Sequence, residues 1–150
     1  MTRPFLLLLL ISALAGCSAA PRLKVTDIQV TDRTEAGIVL KVSVEAENRN
    51  EVEVPLREIR YSVKVAGGQT FTGIRSAEAS LRRLGTQSIS FPAVIPLTAG
   101  TPAPSGLVNV EVSGTVAYLA PGNLSKALYD MGISRPSQSF AGAAAVDLTP

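Results

Sequence analysis

Residues 42–68 read VSVEAENRNEVEVPLREIRYSVKVAGG. Val42, Val44 and Ala46 alternate with Ser43, Glu45 and Glu47, and the pattern extends upstream through Ile38, Leu40 and Lys41. Period two with one apolar and one polar face marks a strand in a sheet that is wet on one side. Asn48-Arg49-Asn50 stops the run. Val54-Pro55-Leu56 reads as a second interruption, because proline lacks the N–H that a central ladder needs. Alternation then resumes, with Ile59, Tyr61, Val63 and Val65 inward, and ends at a hairpin-type Gly67-Gly68.

The flanks repeat this pattern. Residues 23–31 form a first strand. Its inward parity changes between Val25 and Ile28, which predicts a bulge near Thr26-Asp27. Residues 32–37 read as a polar turn. Strands follow at 69–74 and 85–94, and residues 76–84 carry no clear pattern. Residues 98–106, rich in Pro, Gly, Thr and Ser, are a loop. Residues 107–119 are a long strand with Val108, Val110, Val112, Gly114, Val116 and Tyr118 on one side. Leu124, Ala127, Leu128 and Met131 fall at helical spacing between Asn123, a candidate cap, and Gly132, a candidate stop. Residues 137–148 form a last strand with Phe140, Val146 and Leu148. The expectation is an all-β chain: an immunoglobulin- or fibronectin-like antiparallel β-sandwich of about seven strands, with one short helix near the C-terminus.

The stretch at 42–68 resembles the LEA type 2 (WHy domain) family. Asn48-Arg49-Asn50 occupies that family's Asn-Pro-Asn turn, and Pro55-Leu56 and Ile59-Arg60-Tyr61 follow at matching spacing. Residues 23–28 and Leu84-Gly85 also fit, so the resemblance covers roughly residues 23–118. Arg49 departs from the family's central proline, which removes a fixed φ from the turn. The asparagines remain suited to it, because asparagine tolerates left-handed backbone and bonds to its own turn. The family turn residues here are Asn48, Asn50, Pro55 and Tyr61, and the resemblance implies a structural role for them. It also implies a non-catalytic protective module linked to water stress, without a cofactor.

The N-terminus is of another kind. Arg3 precedes an apolar run at residues 5–14, broken only by Ser12, and Leu14-Ala15-Gly16-Cys17 follows. The run is too short to cross a bilayer, which takes roughly 20 apolar residues. A basic start, a short apolar stretch and small residues describe a secretory signal. The four residues Leu14, Ala15, Gly16 and Cys17 resemble the lipobox of bacterial lipoproteins, in which the cysteine is lipidated and becomes the new first residue. Cys17 is the chain's single cysteine, so it has no internal disulfide partner. The expected division is a lipoprotein signal at 1–16, a lipidated cysteine and short tether at 17–22, and a sandwich domain at 23–150. Several acyl chains on one residue anchor stably, where a single chain binds only marginally. Ser18 is not the aspartate that marks inner-membrane retention in enteric bacteria. The resemblance therefore places the protein in the bacterial envelope, at the outer membrane facing the periplasm.

Composition narrows the chemistry. The chain has 14 basic and 12 acidic side chains, a formal charge of +2, and loss of Arg3 lowers it by one. That balance gives no footprint for nucleic acid. There is no histidine, and the only cysteine is assigned to the anchor. The commonest general base, the commonest zinc ligands and any Cys-His pair are all missing. Glu45, Glu47, Glu51 and Glu53 read as a solvated strand face and an exposed loop rather than a metal or acid-base site. Arg82-Arg83 reads as a solvated turn, and Tyr61 and Tyr118 as core residues whose hydroxyls reach an edge. No catalytic residue, metal or cofactor is expected. Two roles stay open: a stress shield acting on client or envelope proteins, and an adaptor that docks one partner through a sandwich edge or the 98–106 loop.

Overall fold

The computed structural model describes residues 18–68, 70–100 and 102–149. Leu14, Ala15, Gly16 and Cys17 lie outside the described residues. Eight strands run β1 (Arg22–Thr34), β2 (Gly37–Asn48), β3 (Val54–Val65), β4 (Thr70–Ser76), β5 (Ser80–Leu81), β6 (Gly85–Pro96), β7 (Leu107–Tyr118) and β8 (Ser137–Asp147), with one helix, α1 (Ser125–Asp130), before the last. Seven are long, and β5 adds a two-residue eighth. One sheet has the order β1-β2-β6, and the other β4-β3-β7-β8 with β5 paired to β3. Every pairing is antiparallel.

The alternation in the sequence becomes the space between the sheets. Ile38, Leu40, Val42, Val44 and Ala46 of β2 are all fully buried. With Phe91, Ala93 and Ile95 of the neighbouring β6 beside them, they face Ile59, Tyr61, Val63 and Val65 of β3 and Val110, Val112 and Val116 of β7. Burying each such aliphatic side chain stabilises the fold by roughly 1.5–3 kcal/mol before chain entropy is charged.

The bulge near Thr26 is present: Val25 pairs with Val44 and Asp27 with Ser43, so Thr26 is the extra residue. A second bulge between Val30 and Asp32 makes Thr31 extra. Both threonine hydroxyls donate across the ladder, Thr26 to the Ser43 carbonyl at 3.2 Å and Thr31 to that of Val39 at 3.3 Å. The bulge positions thus keep a bond to β2 that their backbone has lost.

Three local expectations are corrected. The turn expected at 32–37 shrinks to Glu35-Ala36, because Asp32, Arg33 and Thr34 still pair with β2. Pro55 lies within β3. Its carbonyl accepts from Leu119 at 2.8 Å and the next N–H, of Leu56, donates to Ala79 at 2.8 Å, so the missing donor falls on the side where β7 is ending. Asn123 does not cap α1: Leu124 holds the cap position without a side-chain bond, and no helix residue is buried. Gly132 does end that segment, at φ +73.

Tyr61 ties the two sheets together. Its ring lies over Gly73, one of its two register partners, and 5.5 Å from the Phe91 ring, while its backbone packs against the other, Gly114. Phe91 in turn meets Phe140 edge-on at 5.7 Å. The Tyr61 hydroxyl accepts the outward N–H of Val94 at 3.4 Å, on the open edge of β6. Tyr61→Phe is expected to keep the aromatic packing and lose about 1 kcal/mol with that bond, read as a lower midpoint in urea at unchanged slope. Tyr118 is buried as well, and burial pushes its phenol pKa up.

Two carboxylates hold pKa values below the ordinary range. Asp147 accepts from the N–H and hydroxyl of Thr149, and Asp130 accepts from Lys126 one helical turn away. A lowered folded pKa adds stability above the unfolded value and loses it as pH falls through the folded one. Both groups are exposed, so the contribution is small. Asp147→Asn is expected to flatten the acid limb of a stability–pH curve without moving its neutral value much.

Candidate functional site

Three of the four family turn residues, Asn48, Asn50 and Pro55, come together at the end of the sandwich where β1 begins. β2 carries Asn48 into that end as its last residue. Asn48 is the single buried polar side chain among the described residues, at 0 % exposure. Its amide nitrogen donates to the carbonyls of Val52 at 2.9 Å, Arg82 at 3.1 Å and Leu81 at 3.3 Å. Its oxygen accepts from the backbone N–H of Asn50 at 2.9 Å and from the Asn50 side chain at 2.8 Å. One amide therefore joins β2, the 49–53 loop and the β5 segment. A buried amide left unbonded costs about 1–3 kcal/mol, so a fully bonded one specifies this arrangement over alternatives.

Asn50 extends the network outward. Its amide nitrogen donates to the Ala19 carbonyl at 2.8 Å, and its oxygen accepts the Ala19 N–H at 2.9 Å. The side chain thus imitates a strand rung and grips both backbone groups of Ala19. The Asn50 carbonyl accepts the N–H of Leu84 at 3.0 Å, which fixes the 82–85 turn beside the clamp. Leu84 sits at φ +45 in that turn. Within the stretch expected to be a tether, Ala19 is therefore bonded to the body and Pro21 is buried.

Pro55 stands close to this hub, since it pairs with Ser80 beside the Leu81 carbonyl that Asn48 holds. Tyr61 does not belong to it: it lies farther along β3 and works at the β6 edge. The carboxylates divide as well. Glu47 accepts from Arg49 at 3.0 Å and lies 3.8 Å from Arg22, while Glu45, Glu51 and Glu53 are exposed. Among the described residues no group of three or more His, Cys, Asp or Glu is placed to share a metal ion. Among them, too, no helix is long and apolar enough to cross a membrane. The clamp on Ala19 could not be foreseen from spacing, since its partners stand 31 residues apart.

No family model and no curated relative matches the sequence. Solved structures do. A protein provisionally assigned as late embryogenesis abundant (LEA), At2g46140.1, superposes with a TM-score of 0.66 at 15% identity, over 94% of this chain and 78% of that one. The chain has a LEA-like fold. AT1g01470 from Arabidopsis thaliana matches with a TM-score of 0.60 at 13% identity, over 93% of this chain and 91% of that one. The structural-genomics target SoR45 matches at 0.55 and 11% identity, over 84% and 86%. The LEA-like fold thus covers 94% of this chain, more than the residues 23–118 that carry the sequence resemblance.

Proposed function

We propose that this chain is a lipid-anchored envelope module of the LEA type 2 kind, without catalytic activity, that shields neighbouring proteins during dehydration or similar stress. The LEA-like fold over nearly the whole chain carries this reading. The anchor rests on Leu14-Ala15-Gly16-Cys17, which would leave Cys17 as the acylated first residue on the periplasmic side of the outer membrane. The outward faces of β2 and β3 support the shield role. Lys41, Glu45 and Glu47 on β2 and Arg57, Glu58, Arg60 and Lys64 on β3 put charges of both signs there, a surface that holds water.

The test is a drying and freeze–thaw assay with a labile enzyme, set beside an inert β-sandwich at equal mass. Recovery of enzyme activity well above the inert control is expected. Recovery equal to the control contradicts the shield role.

One observation favours the adaptor reading as an alternative. β6 is an open edge, paired with β2 only. Its distal half is closed to a further strand: Pro92 and Pro96 have no N–H to offer, and the N–H of Val94 between them is taken by Tyr61. The half at Thr86, Ser88 and Ser90 has the same outward parity and no such block. An extended partner segment would add there. In-cell crosslinking from Ser88 that yields one discrete product would favour the adaptor, and a diffuse pattern would favour the shield.

A further inference from the structure

We infer that the clamp end of the sandwich is a bilayer-seating surface, with the tips at Val52 and Arg82-Arg83-Leu84 resting in the headgroup layer of an anionic membrane. This rests on the anchored reading above and adds an orientation and a contact surface to it. Three observations meet at this end.

The first is reach. Ala19 is held to Asn50 through both its backbone groups, and only Ser18 separates it from Cys17. Two residues of chain extend at most about 7 Å. The headgroup layer on each side of a bilayer is of the same order, roughly 5–8 Å. A body clamped this closely to an acylated Cys17 has no slack to float free of the surface. The residues beside Ala19 must face the lipid.

The second is where apolar side chains are left uncovered. Leu84 is 68 % exposed and its N–H is bonded to the Asn50 carbonyl, so it stands on the same tip as the clamp. Val52 is exposed in the loop that holds Asn50. Leu124, Met131 and Ile133 are also exposed, in the connection that leaves β7 and returns to β8 at this end. Single exposed leucines are ordinary. Of the seven large apolar side chains exposed among the described residues, these five lie at the end nearest the expected lipid, with Ile74 on β4 and Leu107 at the opposite end, and that bias is what points to a bilayer.

The third is charge. Arg82 and Arg83 directly precede Leu84, and neither has a carboxylate within 4.0 Å among the described residues, whereas Arg22 and Arg49 at the same end both lean on Glu47. Glu51 and Glu53 stand exposed on either side of Val52, so the anionic preference rests on the Arg82-Arg83-Leu84 tip, whose apolar side chain suits the acyl boundary and whose two guanidinium groups suit the phosphates.

The experiment uses the full-length lipidated protein in phosphatidylethanolamine–phosphatidylglycerol vesicles. A single environment-sensitive fluorophore is placed at Val52→Cys or Leu84→Cys, and at Glu35→Cys or Ala99→Cys as distal controls. Labels at 52 and 84 are expected to shift blue, to be quenched several-fold more by spin-labelled lipid than by aqueous iodide, and to differ from 35 and 99 on both counts. Equal aqueous exposure at all four positions, with the protein still floating with the vesicles, overturns the seating and leaves the anchor intact. Failure to float overturns the anchored reading itself and the seating with it. Combining Arg82→Glu, Arg83→Glu and Leu84→Asp is expected to keep flotation and abolish lipid quenching at 52. Undiminished quenching in that variant overturns the assignment to this tip. Equal quenching at 84 in vesicles of neutral lipid alone overturns the anionic preference.

Discussion

Asn48→Ala is expected to cost about 3 kcal/mol of folding stability, a large loss for a single polar side chain. The amide nitrogen serves three carbonyls and the oxygen two donors, all at a position with no access to water. Alanine leaves those partners facing an empty space. The 49–53 loop and the β5 segment then lose their common tie, and Asn50 loses the brace that aims it at Ala19. Asn48→Asp is expected to be worse at neutral pH, because a carboxylate has no hydrogen to offer the carbonyls of Val52, Leu81 and Arg82. Its folded pKa would rise above the unfolded value of about 3.9. Its stability is therefore retained below that unfolded value and falls as pH rises through the folded one. Urea unfolding of both variants at pH 4 and pH 7 checks this. Asn48→Asp should narrow its gap to the parent at the lower pH, and Asn48→Ala should not.

Gly114→Ala is expected to cost about 3 kcal/mol as well, by overpacking. A Cβ at Gly114 would strike the Arg60 carbonyl, come within 2.7 Å of the Phe140 ring and lie 3.0 Å from the Tyr61 Cα. The carbonyl belongs to the neighbouring strand, so it yields only if the β3–β7 ladder opens. Tyr61 and Phe140 would be displaced together, and with Tyr61 goes the cover on the Val94 N–H. Gly67→Ala is the control. It meets nothing within 4 Å, and its cost is the backbone strain, roughly 1–2 kcal/mol, of a side chain at φ +110. Thermal unfolding of the two should separate them by several degrees, with Gly114→Ala the lower.

The sandwich was readable where side chains obey period two. In β2, β3 and β7 the inward residues could be named one by one, because a strand that is wet on one face must alternate. The parity change at Thr26 was readable for the same reason. What escaped was set by partners far away in the chain. β5 is two residues long and shows only Leu81, whose burial comes from pairing with Val54. Pro55 argued against a strand by its own chemistry, and only the place where β7 ends makes it acceptable. Gly114 was read only as one position on the inward side of its strand, while the structure shows that its missing side chain makes room for the Arg60 carbonyl and the Phe140 ring, as Gly73 does for the Tyr61 ring. The apolar spacing around α1 signals a helix correctly, yet that helix buries none of its side chains.

The hub was half visible. Asn48 and Asn50 stood out as turn residues, but their bonds to Leu81, Arg82 and Ala19 cross 31 to 34 positions and leave no local trace. Spacing identifies a turn. It does not identify what the turn holds.

The most direct single measurement is the mass of the N-terminal peptide of the full-length protein made in a Gram-negative host. The expected result is a chain that begins at Cys17, with residues 1–16 removed and the added mass of a diacylglyceryl group and an amide-linked acyl chain. Cys17→Ser should retain the leader and lack that mass. A mature chain that begins elsewhere, or one whose Cys17 carries a free thiol, would contradict the anchored account and remove the ground for seating the sandwich on a membrane.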